Sequence, residues 1–204
     1  MTGPVVGDDG VARCPWAGTT PGDMRDYHDH EWGRPIAGDA AWFERLSLEA
    51  FQSGLSWATI LRKRPAFRAA FDGFDPDRVA AYDDADVERL MADAGIVRNR
   101  AKIEATVSNA RVVADLADAG VDLSELLWSF APPDRLTRGR PADLAGVAAV
   151  SPESTAMAKD LKRRGFRFVG PTTAYALMQA TGMVDDHVAD CWVPRLGETP
   201  SEQL

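Results

Sequence analysis

The sequence has few cysteines, no excess of basic charge and no long apolar run. Its 204 residues include two cysteines, and 31 acidic side chains outnumber 23 basic ones to give a net charge of −8. No stretch is long enough to cross a bilayer, and residues 1–10 lack the basic start and apolar run of a signal peptide. We therefore expect a cytoplasmic protein with no membrane association. A reducing cytosol disfavours a disulfide between Cys14 and Cys191, so both cysteines need another explanation.

The acidic balance argues against a generic nucleic-acid-binding protein, whose contact surface is usually basic. Binding depends on local charge, however, and the basic residues of this chain cluster in three short segments. The clusters are Arg62, Lys63 and Arg64; Arg98, Arg100 and Lys102; and Lys162, Arg163, Arg164 and Arg167.

Helix signals run through most of the chain, and alternating strand patterns are nearly absent. Asp39 precedes an apolar-rich run that reaches Leu61, and Pro65 indicates a new element or a turn. Further helices are predicted from Asp83 to Gly95, from Ile103 to Gly120, from Asp122 to Phe130, from Ser151 to Gly165 and from Pro171 to Gly182. The sequence therefore predicts an all-α fold.

The length favours one domain or two closely packed small ones. We expect a flexible leader over residues 1–12, one domain over 13–194 that could consist of two packed helical subdomains, and a tail over 195–204. The segment 131–150, rich in proline, glycine and alanine, is the best candidate for a loop.

Both cysteines lie near histidines, which points to a metal site. His187 and Cys191 are four residues apart, so on a helix they would project from one face and could share an ion. Cys14 and His28 would complete a Cys2His2 set, which suits tetrahedral structural zinc and would tie the two ends of the chain together. His30 is an alternative to His28. The competing interpretation is that the cysteines are buried apolar residues and the histidines lie on the surface.

Several aromatic residues lie beside polar or charged neighbours, as expected of a binding surface. Aromatic faces stack on nucleobases and attract cations, so a cage of such rings would prefer a base that carries positive charge through alkylation. Trp42 and Trp128, in contrast, occupy apolar helical positions and are predicted to be core residues. The candidate cage residues are Trp16, Tyr27, Trp32 and Trp57.

Glu49 belongs to a polar stripe that Gln52, Ser53 and Ser56 continue at helical spacing. The stripe is uncharged apart from Glu49, which is unusual for a solvent face and fits a pocket wall. A buried carboxylate there would accept hydrogen bonds from a cationic base and reject bases that leave it unpaired. The alternative is a wet helix face on which Arg45 pairs with Glu49.

The segment 166–174 joins two predicted helices through Gly170. Glycine lets a backbone approach another molecule closely, and free N–H groups at the start of the next helix can point at a phosphate. The basic run just upstream adds attraction, although many helix–turn–helix links look similar and bind nothing.

Together these segments resemble the 3-methyladenine DNA glycosylase I family, a zinc-containing branch of the helix-hairpin-helix glycosylases. The resemblance covers the chain from Arg13 to Cys191. Its motifs are Arg13 to Trp16, Tyr27 to Gly33, Leu48-Glu49, Gly54 to Trp57, Asp93 to Arg98, Leu127 to Phe130, Lys162 to Gly170 and Asp186-His187.

The resemblance implies an enzyme that flips 3-methyladenine out of double-stranded alkylated DNA and hydrolyses its N-glycosidic bond. We expect a monomer, because nothing in the sequence suggests an obligate dimer. It implies a structural Zn²⁺ bound by Cys14, His28, His187 and Cys191. It assigns catalysis to Glu49 and Tyr27. It assigns base binding to Trp16, Tyr27, Trp32, Glu49, Gln52 and Trp57. It assigns binding of the DNA backbone to Arg167, Phe168, Val169, Gly170, Thr172 and Thr173.

Three residues depart from the family pattern. Met24 stands where the family often has a second pocket tyrosine, which would loosen base stacking. Asp185 stands where other helix-hairpin-helix glycosylases carry a catalytic aspartate, and the methyladenine branch more often has asparagine. Thr172 replaces the hairpin lysine of relatives that also cleave the strand, so we expect no lyase activity.

The sequence leaves two alternative functions open. One is a non-catalytic zinc-stapled module that binds damaged DNA, and the other is a glycosylase of different lesion specificity that uses Asp185.

Overall fold

The computed structural model describes residues 3–197, and over this range the regular secondary structure is almost entirely helical, which confirms the all-α prediction. One pair of two-residue antiparallel strands, β1 (Val5–Val6) and β2 (Ala12–Arg13), precedes the helices. None of the helices in the described part combines the length and the apolar character that a membrane crossing needs. The helices are α1 (Asp23–His30), α2 (Asp39–Gln52), α3 (Trp57–Ala70), α4 (Pro76–Ala80), α5 (Asp84–Ala92), α6 (Arg100–Asp118), α7 (Leu123–Trp128), α8 (Pro152–Arg163) and α9 (Pro171–Ala180). Short 3-10 turns occupy Pro15–Ala17, Asp72–Phe74 and Leu144–Gly146.

Side-chain caps explain where three of the predicted helices begin. Asp83 and Ser151 each begin a helix with a capping box. The side chain of Asp83 accepts the N–H of Asp86, and the side chain of Asp86 accepts the N–H of Asp83; Ser151 and Ser154 form the same pair of hydrogen bonds. Asp122 accepts the N–H three residues later and caps α7. These contacts satisfy N–H groups that a helix cannot pair internally, so local sequence suffices to set the starts.

The run after Asp39 is divided into two helices, and the interpretation of Pro65 as a new element or turn is wrong. Helix α2 ends at Gln52, and Gly54 then adopts a left-handed φ of 83°. Ser56 restarts the helix, because its side chain accepts the N–H of Thr59 at 3.3 Å. Pro65 lies inside α3, whose buried residues Ile60, Leu61 and Phe67 hold the helix in the core.

The described chain forms two compact units. The first takes in the chain up to Pro35, Ala131–Ala149 and the chain from Met178 onward; the second takes in Ile36–Phe130 and Val150–Leu177. Of the predicted leader and tail, residues 1–2 and 198–204 lie outside the described residues, and the proposed domain boundaries stay predictions. Within 131–150 the structure has one short 3-10 turn, as the loop prediction requires.

The second unit is built around a cluster of aromatic rings that fixes α2. Phe51 on α2 lies 4.7 Å from Phe67 on α3, measured between ring centroids, and Phe71 stacks on Phe74 at 5.4 Å. Trp42 is fully buried, which confirms that it is a core residue, and it meets the half-buried Trp128 edge-on at 6.4 Å. The face of α2 that carries Glu49 is therefore held by packing on several sides.

Candidate functional site

Four buried side chains of the first unit converge, and their candidate ligand atoms all lie within 4.8 Å of one another. Cys14 Sγ lies 3.6 Å from His187 Nδ1, and Cys191 Sγ lies 3.4 Å from His28 Nε2 and 3.5 Å from His187 Nδ1. The predicted set is thus brought together, and it can hold a metal ion. The alternative ligand His30 is exposed and lies outside the set, and the interpretation of His28 and His187 as surface residues is wrong.

The two thiols are buried and form no disulfide. A hydrogen bond between Cys14 and Cys191, together with burial, raises the pKa of the Cys14 thiol. The same hydrogen bond lowers the pKa of Cys191, and the imidazoles of His187 and His28 lower it further. One sulfur is therefore favoured as a thiolate, which is the form that binds a cation.

A hydrogen-bond network centred on Asp29 surrounds the cluster. Its members Arg13, Asp29 and Trp192 are the sequence neighbours of Cys14, His28 and Cys191. The carboxylate of Asp29 accepts the His28 Nδ1–H at 2.8 Å, the Trp192 Nε1–H at 3.1 Å and two bonds from the Arg13 guanidinium at 2.8 and 2.9 Å. Burial alone would raise the pKa of Asp29, but these hydrogen bonds outweigh it and lower the pKa to about 2. Because Asp29 holds the Nδ1 proton, the Nε2 atom of His28 is left to face the sulfurs.

Two of the predicted base-binding tryptophans pack directly on the imidazoles of this cluster. The Trp16 ring lies 5.0 Å from that of His28, and the Trp32 ring lies 4.6 Å from that of His187, both edge-on. The two indoles also contact each other at 4.9 Å. Tyr27 is buried next to Trp16, at 6.2 Å between centroids. The sequence did not reveal that Trp16 and Trp32 pack around the metal-binding cluster.

Glu49 occupies the last turn of α2, in the second unit, where it borders a cavity. Its side chain is 5% exposed, and within residues 3–197 no hydrogen bond reaches the carboxylate. Burial raises the pKa of Glu49 to about 7, although the charge of Arg45 acts in the opposite direction. A wet helix face is therefore the wrong interpretation of Glu49. The cavity has a volume of about 330 Å³ and is lined by Glu49, Gln52, Ser53, Gly54, Leu55, Thr172, Thr173 and Ala176.

Arg45 links the carboxylate helix to the predicted base-stacking residue Trp57. The guanidinium carbon lies 5.5 Å from the centre of the Trp57 ring, and the arginine is 8% exposed. Such a distance is within the range of a cation–π contact. Glu49, Gln52 and Trp57 are thus held near one another by the end of α2 and the start of α3.

The segment 166–174 is pinned to α6 by a residue that the sequence did not reveal. Asn109 is 2% exposed; its Oδ1 accepts the Arg167 N–H at 2.7 Å, and its Nδ2 donates to the Arg167 carbonyl at 3.0 Å. The next residue, Phe168, takes a left-handed φ of 56° and is exposed. Val169 is buried, whereas Gly170 and Thr172 are exposed at the start of α9. Nothing in the helical period of α6 marks Asn109 as different from its neighbours.

One member of the predicted basic clusters is not available to a ligand. Lys102 is buried, and its Nζ donates to the carbonyls of Phe51 at 2.9 Å and Ser53 at 2.6 Å. These carbonyls lie at the end of α2, where a helix has no internal donors for them. Lys102 therefore stabilises the turn that leads from the cavity wall to α3, and it adds no charge to the basic surface that its cluster was expected to form.

Asp185 is engaged in a buried ion pair and is not poised as a base. Arg140 Nε donates to its carboxylate at 2.9 Å, with side-chain exposures of 2% and 7%. Arg140 also donates to the carbonyls of Val193 at 2.8 Å and Pro194 at 2.9 Å. Arg140 thus joins the loop 131–150 both to Asp185 and to the chain after Cys191, and the ion pair leaves the Asp185 mechanism without a free carboxylate.

Comparisons with known proteins agree with the resemblance seen in the motifs. Residues 16–194 match the family model described as methyladenine glycosylase. A DNA-3-methyladenine glycosylase of Haemophilus influenzae is 43% identical over 181 residues, covering 89% of this chain and 97% of that protein. The solved structure of a 3-methyladenine DNA glycosylase I shares 43% identity at a TM-score of 0.84, covering 89% of this chain and 100% of that one.

A second solved structure includes a ligand. It is a tyrosine-to-phenylalanine variant of 3-methyladenine DNA glycosylase I in complex with 3-methyladenine, and it shares 35% identity at a TM-score of 0.81, covering 88% of this chain and 96% of that one. The extent of these matches, over nearly the whole length on both sides, establishes that the chain belongs to the methyladenine glycosylase family.

Proposed function

We propose that the protein hydrolyses the N-glycosidic bond of 3-methyladenine in double-stranded alkylated DNA and leaves an abasic site. Its family and the names of its relatives support the reaction. The single observation that carries the substrate is Glu49, a buried acid that receives no hydrogen bond from residues 3–197 and borders a cavity of about 330 Å³. Such a group is costly to bury unless a ligand completes it.

The chemistry of the lesion explains why recognition can be the main task. Adenine methylated on a ring nitrogen carries positive charge while it is attached to the sugar, and it leaves as a neutral base when the glycosidic bond breaks. The bond electrons go to the base, water adds to the sugar carbon, and one proton is released. Glu49 as a carboxylate would balance the charge of the flipped base and accept hydrogen bonds from its edge. Gln52 and Trp57 would supply a further polar contact and a stacking face.

The DNA backbone is proposed to bind at the segment 166–174. The exposed backbone of Gly170 and the first N–H groups of α9 at Thr172 and Thr173 can meet a phosphate. Thr172 has no amine with which to form a Schiff base at the abasic site, so strand cleavage is not part of the reaction. We propose that the enzyme acts as a monomer. Base-binding roles for Trp16, Tyr27 and Trp32, and a catalytic role for Tyr27, stay predictions.

Zinc is the metal that we propose for the Cys2His2 cluster. Ligands bound to Zn²⁺ through sulfur and nitrogen in a tetrahedron lie about 3.6 Å apart. The sulfur-to-nitrogen distances of 3.4–3.6 Å among Cys14, His28, His187 and Cys191 agree with that spacing. The protein would fill all four positions, which is typical of a structural ion and leaves none for substrate. Elemental analysis of the purified protein should give one zinc per chain.

The test of the function is the release of free base from methylated DNA by Glu49→Gln. We expect the substitution to lower the excision of 3-methyladenine by roughly 100-fold, because it removes a charge and leaves a mismatched donor against the base. Glu44→Gln is the matched control, since Glu44 lies on the same helix but pairs with Arg68 at 2.8 Å. Its rate should equal that of the parent.

Two outcomes would contradict the proposal. If the parent protein binds alkylated DNA but releases no base, it is a non-catalytic module. If Glu49→Gln excises the base as fast as the parent while fold and metal content are unchanged, Glu49 is not the recognition carboxylate.

A further inference from the structure

A positively charged residue stands beside the carboxylate that is proposed to meet a cationic base. Arg45 lies one helical turn before Glu49 on α2, and it is 8% exposed although arginine is seldom buried. A cation in the wall of a site for a cationic ligand would weaken binding by repulsion unless it serves another purpose. Arg45 does not border the cavity, whereas Glu49 does. The charge of Arg45 therefore acts on the Glu49 carboxylate from a position outside the cavity lining.

The same guanidinium contacts the proposed stacking residue. Its carbon lies 5.5 Å from the centre of the Trp57 ring. Trp57 is the first residue of α3, and the turn before it, from Ser53 to Ser56, is exposed. The contact between Arg45 and Trp57 thus spans the break between two helices and restricts the orientation of an indole at a helix start.

Arg45 is also the charge that bears on Glu49. Burial raises the pKa of Glu49 to about 7, and the charge of Arg45 opposes that rise. The residues of α9 that border the cavity are uncharged. The charged groups on the elements packed against α2 have other partners or are exposed. Arg68 pairs with Glu44, Asp72 accepts from Tyr82, Arg78 pairs with Asp75, Arg100 pairs with Glu88, Lys102 and Lys63 donate to backbone carbonyls, and Arg64 has an interaction of its own. The exposed groups are Arg62, Asp77, Glu104, Arg111, Asp115, Asp118 and Glu125.

We propose that Arg45 is a positioning residue for base recognition, which keeps Glu49 in its carboxylate form and holds the Trp57 indole in place. This inference rests on the proposed role of Glu49. One side chain would then prepare both the negative charge and the aromatic surface that a cationic base requires. The cost of its own positive charge is limited because the guanidinium faces the indole and not the cavity.

Loss of Arg45 has a defined consequence for the pH dependence of the reaction. Without the opposing charge, the pKa of Glu49 would rise further above its ordinary value, so a smaller fraction of the enzyme would be ionised at neutral pH. The acid limb of the rate profile would move to higher pH, and activity would recover at alkaline pH. A purely structural role would lower the rate by the same factor at every pH.

The experiment measures single-turnover excision of 3-methyladenine from methylated DNA, from weakly acidic to weakly alkaline pH. For Arg45→Met we expect the acid limb to move up by about one pH unit, which is a loss of about tenfold on the acid side. Arg45→Gln is a second neutral variant that retains a planar polar group, and it should show the same shift. Arg45→Lys keeps the charge and should keep the position of the acid limb, with a uniform loss of a few-fold from the weaker contact with Trp57.

Two further variants separate the possible failures. Arg68→Met removes an arginine that pairs with Glu44 on the surface of the same unit, and its profile should match the parent. Glu49→Gln should abolish the acid limb. If Glu49→Gln keeps the parental profile, the proposed function of Glu49 fails. If Glu49→Gln behaves as expected but both neutral Arg45 variants lose activity equally at every pH, or lose none, the role of Arg45 is overturned.

Discussion

The two units of the protein each bury a carboxylate, and they treat it in opposite ways. Asp29 in the first unit accepts hydrogen bonds from Arg13, His28 and Trp192, and its pKa falls to about 2. Glu49 in the second unit receives no hydrogen bond from the described residues, and its pKa rises to about 7. Both side chains are nearly inaccessible to solvent, and the hydrogen bonds that lower the pKa of Asp29 are missing at Glu49 among the described residues.

The contrast separates an acid that builds the protein from one that is available to a ligand. A buried carboxylate with a full set of donors stabilises the folded state and has no capacity left for another molecule. A buried carboxylate without donors destabilises the fold, and a sequence that retains it gives up stability for function. Four substitutions or treatments, in order of expected effect, test this division.

Removal of the metal should have the largest effect, because it acts on the cluster that joins both ends of the first unit. A ligand present at a thousandfold excess over its dissociation constant stabilises the fold by about 4 kcal/mol. For a chain of this length, that corresponds to a fall in Tm of roughly 8–16 °C when a chelator is added. Calorimetry with chelator, and again after zinc is restored, measures it. An unchanged Tm in a protein shown to contain zinc would mean that the cluster does not stabilise the fold.

Asp29→Asn should cost about 3 kcal/mol of stability, because it breaks a buried ion pair with Arg13 and weakens the bond that orients His28. Since the pKa of Asp29 is lowered from 3.8 to about 2, its contribution is present above pH 3.8 and is lost as pH falls through about 2. Urea denaturation at neutral and acidic pH tests this. Asp26→Asn, an exposed position on the same helix, should change stability little; equal losses in both variants would contradict the assignment.

Glu49→Gln should have the opposite sign from Asp29→Asn. The pKa of Glu49 is raised from 4.5 to about 7, so its favourable contribution is present below pH 4.5 and is lost as pH rises through 7. We expect the variant to be more stable than the parent by about 2–3 kcal/mol at mildly alkaline pH, and by little at acidic pH. Urea denaturation across this range is the measurement. A variant that is less stable than the parent at alkaline pH would remove the basis for the contrast.

Asn109→Ala should have the smallest effect of the four, and it separates binding of the DNA backbone from binding of the base within the second unit. It removes both bonds to Arg167 at the entry to the segment 166–174, so affinity for DNA should fall about fivefold, or about 1 kcal/mol, while binding of free 3-methyladenine is unchanged. Asn99→Ala is the matched control, because it removes the cap of the same helix at a similar cost in stability. If both variants weaken DNA binding equally, the effect reflects stability alone.

Local signals account for the parts of the fold that the sequence predicted. The starts of α5, α7 and α8 depend on caps at Asp83, Asp122 and Ser151, each completed within a few residues. The break between α2 and α3 carried a comparable signal in Gly54 and the cap Ser56, which the length of the apolar run obscured. The metal-binding set was predictable because cysteine and histidine are scarce in this chain. The expectation that His187 and Cys191 share a helix is wrong, because both lie in the turns that follow α9.

The residues that escaped prediction depend on contacts between distant parts of the chain. Lys102 was counted in a basic cluster because a run of basic residues does not reveal that one amine reaches carbonyls 49 and 51 positions away. Asn109 and Arg140 likewise act on partners 45 to 58 positions distant. Pro65 was misjudged because the packing of α3 outweighs the local preference of proline to begin or interrupt a helix.

The position of the cysteines and histidines along the chain has a consequence for how the protein is made. Cys14 and His187, which meet in one cluster, are 173 positions apart. On the ribosome, Cys14 and His28 emerge long before His187 and Cys191 have been translated. A metal ion bound at this cluster would reach full coordination only after translation has passed Cys191, and a nascent chain halted earlier would carry half a site and an unprotected thiol. The order of translation therefore requires that the first unit closes around its cluster after the second unit has largely been made.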